Sequence, residues 1–179
     1  MKTILESLRV LLVLTVLTGF AYPLVVTGIA SIAFRGSATG SLVKQGDQLV
    51  GSALLAQKTE SPKYFWPRPS AADFATVASG ASNKGPTSAD LVKSIAERRE
   101  KFGKDAPDEL LTASGSGLDP HLSPAAARHQ AARVAAERKI AVEKVTALID
   151  QLTEGPQLGF LGEPRVNVLS LNLALDSAK

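Results

Sequence analysis

An uninterrupted apolar block near the N-terminus is the strongest pattern in this 179-residue chain. Val10 to Phe34 carry no charge, and an arginine bounds the block on either side. At about 1.5 Å per residue, a helix of this length exceeds the roughly 30 Å hydrocarbon core of a bilayer, so the block predicts one transmembrane helix over 10–34. A cleaved signal peptide is the main alternative, but its apolar region is usually only about 7–15 residues long.

Small or polar residues recur at every fourth position inside the predicted helix. These positions, which we call the ridge, are Thr15, Gly19, Pro23, Thr27 and Ser31. Small residues allow a second membrane helix to approach closely, and hydroxyl groups can bond across such a contact. Pro23 also frees a backbone carbonyl and is expected to bend the helix. Such residues are common in membrane helices, but their regular spacing favours a helix that packs against other membrane helices.

The charges at the two ends of the block predict its orientation only weakly. Lys2 and Arg9 precede it, while Arg35 and Lys44 follow it. The positive-inside bias slightly favours a cytoplasmic N-terminus. We therefore expect residues 1–9 to form a short cytoplasmic tail and the following domain to lie outside the cytoplasm.

The rest of the chain predicts a linker and one soluble domain. Residues 35–47 are rich in glycine and serine and predict a linker, and residues 48–179 predict an α+β domain. The predicted elements are a strand over 48–57, helices over 88–102, 123–139 and 141–152, a helical turn after Pro107, and a C-terminal strand over 164–176. The predicted fold class is a single N-terminal transmembrane helix plus a soluble α+β domain.

Composition and charge argue against several function classes. The formal net charge is only +3 and the charges are mixed, whereas nucleic-acid binding usually needs a basic stripe. The chain has no cysteine, and the spacing of His121 and His129 matches no metal motif. Ser114 lies near His121 without a GxSxG motif. We expect no catalytic residues, no metal site and no tightly bound cofactor.

Two glycine-containing loops are candidate anion sites. Gly115 and Gly117 could form a backbone nest, and the segment from Ser79 to Lys84 has similar loop chemistry. Neither matches a GxxxxGK[ST] phosphate loop. Tight turns that bond their own backbone explain both loops better.

Four segments carry a resemblance to a known family. YFWPRPSA, ASGASNKGPTS, SGSGLDPHLSPAAARHQAARVA and GEPRVNVLSLNLALD follow the apolar helix in this order. The chain thereby resembles the C subunit (KdpC) of the bacterial high-affinity potassium-transporting P-type ATPase, over nearly its whole length. The family-motif residues, expected to be structural or to face a partner, are Tyr64, Phe65, Arg68, Ser114, Gly115, Gly117, Asp119, His121 and Gln130.

The resemblance implies a function and a set of partners. The partners are a potassium-channel-like subunit, a P-type ATPase subunit and a small single-span subunit, together with the lipid of the bacterial inner membrane. The chain itself lacks the DKTGT phosphorylation motif. The family is regarded as a non-catalytic accessory subunit that stabilises assembly and supports ATP binding by the ATPase subunit.

ATP contact by this chain is implied by the resemblance only. The corresponding nucleotide candidates are Ser79, Gly80, Ser82 and Asn83. Ala81 replaces a glycine of the family motif, and its methyl group would hinder a close approach to phosphate. The alternative to an outer assembly subunit is a nucleotide-binding subunit whose domain lies in the cytoplasm. Tyr64, Phe65, Trp66 and Arg68 could equally be partner contacts or internal anchors.

Overall fold

The computed structural model describes residues 2–178, which divide into two compact units. The units are Met1–Leu42 and Val43–Lys179. The first consists mainly of the apolar helix, and the second contains the sheets and the remaining helices. This division agrees with the predicted fold class, one N-terminal transmembrane helix plus a soluble α+β domain.

One long helix dominates the first unit. Its parts are α1 (Lys2–Val16), a π-helical segment (Leu17–Ala21) and α2 (Tyr22–Ala33). Lys2–Ala33 is long and apolar enough to cross a membrane, and its most apolar 18-residue stretch has a mean hydropathy of 2.2. None of its side chains is buried within the chain. The apolar surface is therefore free to meet lipid or other helices.

Pro23 explains the wider, π-helical turn between α1 and α2. Proline has no backbone N–H, and its ring crowds the carbonyl of the residue four positions earlier, which is Gly19. The π-helical segment lies directly before Pro23, and Tyr22 N–H donates to the Leu17 carbonyl five residues back. The wider turn accommodates the proline ring without ending the helix.

The second unit combines short strands with five helices among the described residues. Its elements are β2 (Gln48–Ser52), α4 (Ala89–Phe102), α5 (Asp108–Leu111), β3 (His121–Leu122), α6 (Pro124–Arg138), α7 (Val142–Gln151), β4 (Thr153–Glu154), β5 (Arg165–Asn167) and α8 (Val168–Ser177). Strand β5 is central in an antiparallel sheet of order β3-β5-β4. Most of the predicted helices are confirmed.

Helix starts follow the capping residues of the sequence. The Ser88 side chain accepts a hydrogen bond from Leu91 N–H at the start of α4. Ser123 does the same for Ala126 N–H at the start of α6, where Pro124 occupies the first turn. Because these caps satisfy backbone donors that the helix leaves free, local sequence is enough to define both starts.

The predicted linker and the first predicted strand differ from the structure. Residues 35–47 contain α3 (Arg35–Ala38) and strand β1 (Leu42–Gln45), which pairs with β2. Gly46, with a φ of +62°, lies in the two-residue turn between these strands. The first predicted strand ends at Ser52 instead of continuing to Gln57. Gly36 and Ser37 therefore lie in a short helix, and Gly46 lies in a turn between paired strands, so the stretch is more than a linker.

The predicted C-terminal strand is wrong beyond Asn167. The alternating leucines suggested a strand, but α8 begins at Val168. Asn167 caps this helix by accepting a hydrogen bond from Ser170 N–H at 3.1 Å. The buried residues of α8 are Val168, Leu171, Asn172 and Leu175, which repeat at helical spacing. Burial at this spacing, together with the cap, decides between helix and strand.

The core of the second unit lies between α6, α7, α8 and β5. Fully buried residues include Phe65, Val134, Ile149, Val166 and Leu171. Alanines on the inner face of α6 allow close approach of the neighbouring elements, since they add little side-chain volume. This core positions a loop segment, Tyr64–Trp66, between α6 and α8.

Candidate functional site

The aromatic segment Tyr64–Trp66 is held through its backbone by two buried amide side chains. Asn172 Oδ1 accepts from Phe65 N–H at 2.8 Å, and its Nδ2 donates to the Phe65 carbonyl at 3.1 Å. Gln130 Oε1 accepts from Trp66 N–H, and its Nε2 donates to the Trp66 carbonyl, both at 3.0 Å. Each amide thus replaces the strand partner that this proline-rich segment lacks. We call Gln130 and Asn172 the amide clamp.

Two cationic side chains and one aromatic ring surround the Trp66 ring. The Arg133 guanidinium carbon lies 3.7 Å from the ring centroid, and Lys101 Nζ lies 4.0 Å from it. Phe102 meets the same ring edge-on, with centroids 5.6 Å apart. The indole N–H donates to the Ser61 carbonyl at 3.0 Å. Cation–π attraction and this hydrogen bond fix the indole in place.

Arg133 connects the aromatic segment to the amide clamp. Its guanidinium donates to the Pro62 and Tyr64 carbonyls and to Gln130 Oε1. Burial lowers the pKa of Arg133 from its ordinary value to about 10, because desolvation disfavours the charged form. The group therefore stays protonated at neutral pH, and its role here is structural.

A second arginine closes the other end of the segment. Arg138 pairs with Asp176 at 2.7 Å and donates to the Lys63 carbonyl at 2.7 Å. The Tyr64 hydroxyl donates to the other Asp176 oxygen at 3.1 Å. An open groove of about 490 Å³ lies beside this ion pair. Its lining mixes both signs of charge with Ile140 and Leu175, so it has no preference for an anion.

The predicted loop residues pack against one another. Arg68 pairs with Asp119 at 3.1 Å, and Asp119 also accepts from His121 N–H at 3.0 Å. Ser114 N–H donates to the Pro69 carbonyl at 2.9 Å, and the Ser114 side chain is buried. The chain thus brings the 64–71 and 114–121 motifs into one structural unit.

Gly117 is the tightest point of this loop contact. Its φ is +71°, and a Cβ placed there would lie 3.0 Å from the Gly80 carbonyl oxygen. Gly115 has open space around it instead. The backbones of Gly117 and Gly80 therefore pack against each other, and this contact does not form a binding site around a phosphate.

The nucleotide candidates lie on an exposed part of the chain. Ser79, Ser82 and Asn83 are exposed, and Gly80 is partly buried against Gly117. Asn83 has a φ of +51°, which asparagine tolerates in turns. This segment has the geometry of a surface turn that leads to the Ser88 cap of α4.

The histidines do not assemble a catalytic arrangement with the nearby hydroxyls. His121 Nδ1 lies 4.0 Å from Asp119 Oδ1, and His129 Nε2 donates to the Phe102 carbonyl at 2.7 Å. Ser123 caps α6 and bonds the Glu109 carboxylate. Among residues 2–178, the acidic and histidine side chains form no group of three that could hold a metal ion.

The ridge residues lie exposed on the apolar helix. The Thr15 hydroxyl donates to the Leu11 carbonyl at 2.8 Å, so its proton bonds within the helix. A Cβ at Gly19 would meet only Thr15 Cγ2, at 4.0 Å, and Gly28 has nothing within that distance. Pro23, Thr27 and Ser31 are likewise exposed within the chain.

Sequence reasoning missed part of the arrangement around Trp66. The predicted strand over 164–176 gives no reason to expect the Asn172 amide to bond a distant backbone segment. No motif marks Arg138 and Asp176, although both are charged residues with less than a third of the side chain exposed. Gln130 lies within the predicted helix over 123–139, and the structure buries its side chain on α6. A polar residue on the inner face of a helix is the signal that points to such positions.

Comparison with known proteins adds a family assignment to this geometry. The family described as "KdpC: K+-transporting ATPase, c chain" matches residues 4–177. The chain is 50% identical to a "Potassium-transporting ATPase KdpC subunit" of Serratia proteamaculans, over 100% of both chains. A relative with the same description from Myxococcus xanthus is 52% identical over 98% of this chain and 88% of its own. A third, from Rhodospirillum rubrum, is 50% identical over 98% and 96%.

The helix and the clamped domain together define a class of protein, a small domain carried on one apolar helix. The match covers both units and nearly every residue of the chain. The chain therefore belongs to the KdpC family, the c chain of the K+-transporting ATPase.

Proposed function

We propose that this chain is a non-catalytic accessory subunit that stabilises the assembly of an ATP-driven potassium uptake complex. The observation that carries the proposal is the family match, which spans the apolar helix as well as the folded domain. The relatives are described as subunits of a potassium-transporting ATPase. The partners would be its channel-like subunit, its P-type ATPase subunit and its small single-span subunit.

The structure of each unit suits a subunit that binds other proteins. Within the described residues, no side chain of the helix is buried, so its surface is available to lipid and to partner helices. The arginine and amide side chains of the domain form hydrogen bonds to its own backbone. These bonds give a rigid body rather than a reactive site. Rigid surfaces lose little entropy on association.

We further propose that the domain lies on the outer side of the bacterial inner membrane, with the helix crossing it once. Lys2 and Arg9 support a cytoplasmic N-terminus. In that position the domain would meet no ATP, and any support of ATP binding would pass through contacts with the ATPase subunit. Direct nucleotide binding by a cytoplasmic domain is the competing hypothesis.

Reporter fusions after Lys179 test the topology on which the two hypotheses differ. We expect alkaline phosphatase at this position to be active and a fluorescent protein that folds only in the cytoplasm to stay dark. As a matched control, the same phosphatase fused after Arg9, before the apolar block, should be inactive. A bright cytoplasmic fluorescent reporter after Lys179, together with an inactive phosphatase at the same position, would refute the outer location of the domain.

A further inference from the structure

The ten-residue connection between β4 and β5 carries an exposed apolar tip. Leu158, Phe160 and Leu161, which we call the apolar tip, are 83%, 75% and 48% exposed. Strands β4 and β5 pair at the base of the loop, where Glu154 and Arg165 also form an ion pair at 2.9 Å. None of the three side chains belongs to the core of the domain.

The loop has a defined shape although its side chains are exposed. Gln157 N–H donates to the Leu161 carbonyl at 2.8 Å, and Leu161 N–H donates to the Gln157 carbonyl at 2.9 Å. Gly159 and Phe160 N–H groups add two further turn bonds, to Pro156 and Gln157. These bonds hold the apolar tip in one conformation before it meets a partner, which lowers the entropy cost of binding.

The backbone at Leu158 is strained for a leucine. Its φ of +54° lies in the left-handed region, which glycine or asparagine adopts at lower cost. Glycines occupy the two other left-handed positions of the loop, Gly159 and Gly162. A bulky apolar side chain at such a position, with most of its surface in solvent, has no role in the fold of the domain itself.

Charge distinguishes a protein partner from a lipid surface. The connection from Gly155 to Pro164 contains one acid, the exposed Glu163, and no Lys, Arg, Trp or Tyr, while Glu154 at its base is paired with Arg165. Loops that enter a membrane interface usually carry basic and Trp or Tyr residues, and anionic headgroups repel acids. An apolar pocket with basic groups at its rim, on another protein, complements this loop.

We propose that the apolar tip inserts into an apolar, basic-rimmed pocket on another protein subunit of the potassium-transporting complex. This inference rests on the proposed function, since the partner is a subunit of that complex. Phe160 is the central anchor, because aromatic side chains in apolar pockets contribute most to interface affinity. Leu158 and Leu161 flank it, and Glu163 meets the basic rim.

Co-purification of the tagged full-length chain with the complex, in mild detergent, tests the inference. We expect the double variant Leu158→Ser/Phe160→Ser to retain about ten-fold less of the other subunits, since removing anchors costs at least a factor of ten in affinity. Val77→Ser is the matched control, because Val77 is fully exposed and lies outside the loop. Unchanged Trp66 fluorescence would show that both variants fold.

The outcomes separate the inference from the proposed function. A wild-type chain that fails to retain the potassium-transport subunits would refute the proposed function and, with it, this inference. If the wild-type chain retains these subunits and the double variant retains them equally well, the inference is refuted and the proposed function is not.

Photo-crosslinking identifies what the tip touches. With p-benzoyl-phenylalanine replacing Phe160 in the assembled complex, irradiation should join this chain to a second polypeptide. The same group replacing Val77 should give a much weaker product. Crosslinks to lipid alone, or equal products from both positions, would overturn the inference.

Discussion

At the scale of single residues, the domain depends on polar side chains that replace missing backbone partners. Gln130 and Asn172 each use both ends of one amide to satisfy one residue of the aromatic segment. An unsatisfied buried backbone group costs about 1–3 kcal/mol, so two amides that satisfy four such groups stabilise the segment strongly. Arg133 adds charge-assisted bonds to the same region.

The two motif glycines should differ in how they tolerate substitution. Gly117→Ala would force alanine into a φ of +71° and place its methyl 3.0 Å from the Gly80 carbonyl oxygen. We expect a loss of about 1–3 kcal/mol in the free energy of unfolding. Urea unfolding of the full-length chain in detergent, followed by fluorescence of its one tryptophan, measures this.

Gly115→Ala is the control for this prediction. Its new methyl would enter open space, and its φ lies outside the left-handed region. The change in unfolding free energy should stay within about 0.5 kcal/mol. Equal effects of the two substitutions would contradict the proposed role of the Gly117–Gly80 contact.

At the scale of elements, local signals and long-range contacts decided different parts of the structure. The sequence predicted the starts of α4 and α6 to within one residue, because the caps at Ser88 and Ser123 act on backbone groups only three residues away. The α8 assignment failed because leucine alternation fits a strand as well as a helix in isolation. Burial of Leu171 and Leu175 against α6 and α7 resolves that ambiguity.

The apolar helix permits a test of the ridge as a packing surface. Gly19→Leu should weaken co-purification with the transporter, since a leucine would prevent the close helix approach that glycine allows. Within this chain, a Cβ at Gly19 meets only Thr15 at 4.0 Å, so the substitution causes no internal clash. The measurement is the yield of partner subunits retained by the tagged full-length chain.

Ala21→Leu provides the control on the same helix. Ala21 lies two residues further on, a little over half a turn, and therefore on the opposite side from Gly19. Its side chain is also exposed within the chain. Full retention of partners by the Ala21 variant and loss by the Gly19 variant is the expected result. Undiminished assembly of the Gly19 variant would argue against ridge packing.

At the scale of the whole molecule, the chain is an apolar helix and a rigid domain without an assembled catalytic arrangement in residues 2–178. Charged and amide side chains around Trp66 bond the domain's own backbone. The apolar tip of the β4–β5 loop is one exposed apolar feature of its surface.

The nucleotide candidates can be tested in the complete complex. If the domain lies outside the cytoplasm, Ser82→Ala/Asn83→Ala should leave the apparent ATP affinity of the ATPase within about two-fold of wild type, as expected for surface substitutions. ATP dependence of potassium-stimulated hydrolysis measures this. A ten-fold or larger loss of ATP affinity would instead support direct nucleotide handling by this chain.

Sequence by itself determined the features that depend on neighbouring residues or on composition. It predicted the apolar helix, the starts of α4 and α6, and the family resemblance that the match over residues 4–177 confirmed. Tertiary structure alone decided that Gln130 and Asn172 hold the aromatic segment and that α8 is a helix. Those partners lie 64 and 107 residues apart in the chain, so no local pattern could pair them. Side chains that satisfy distant backbone groups become visible only when folding brings them together.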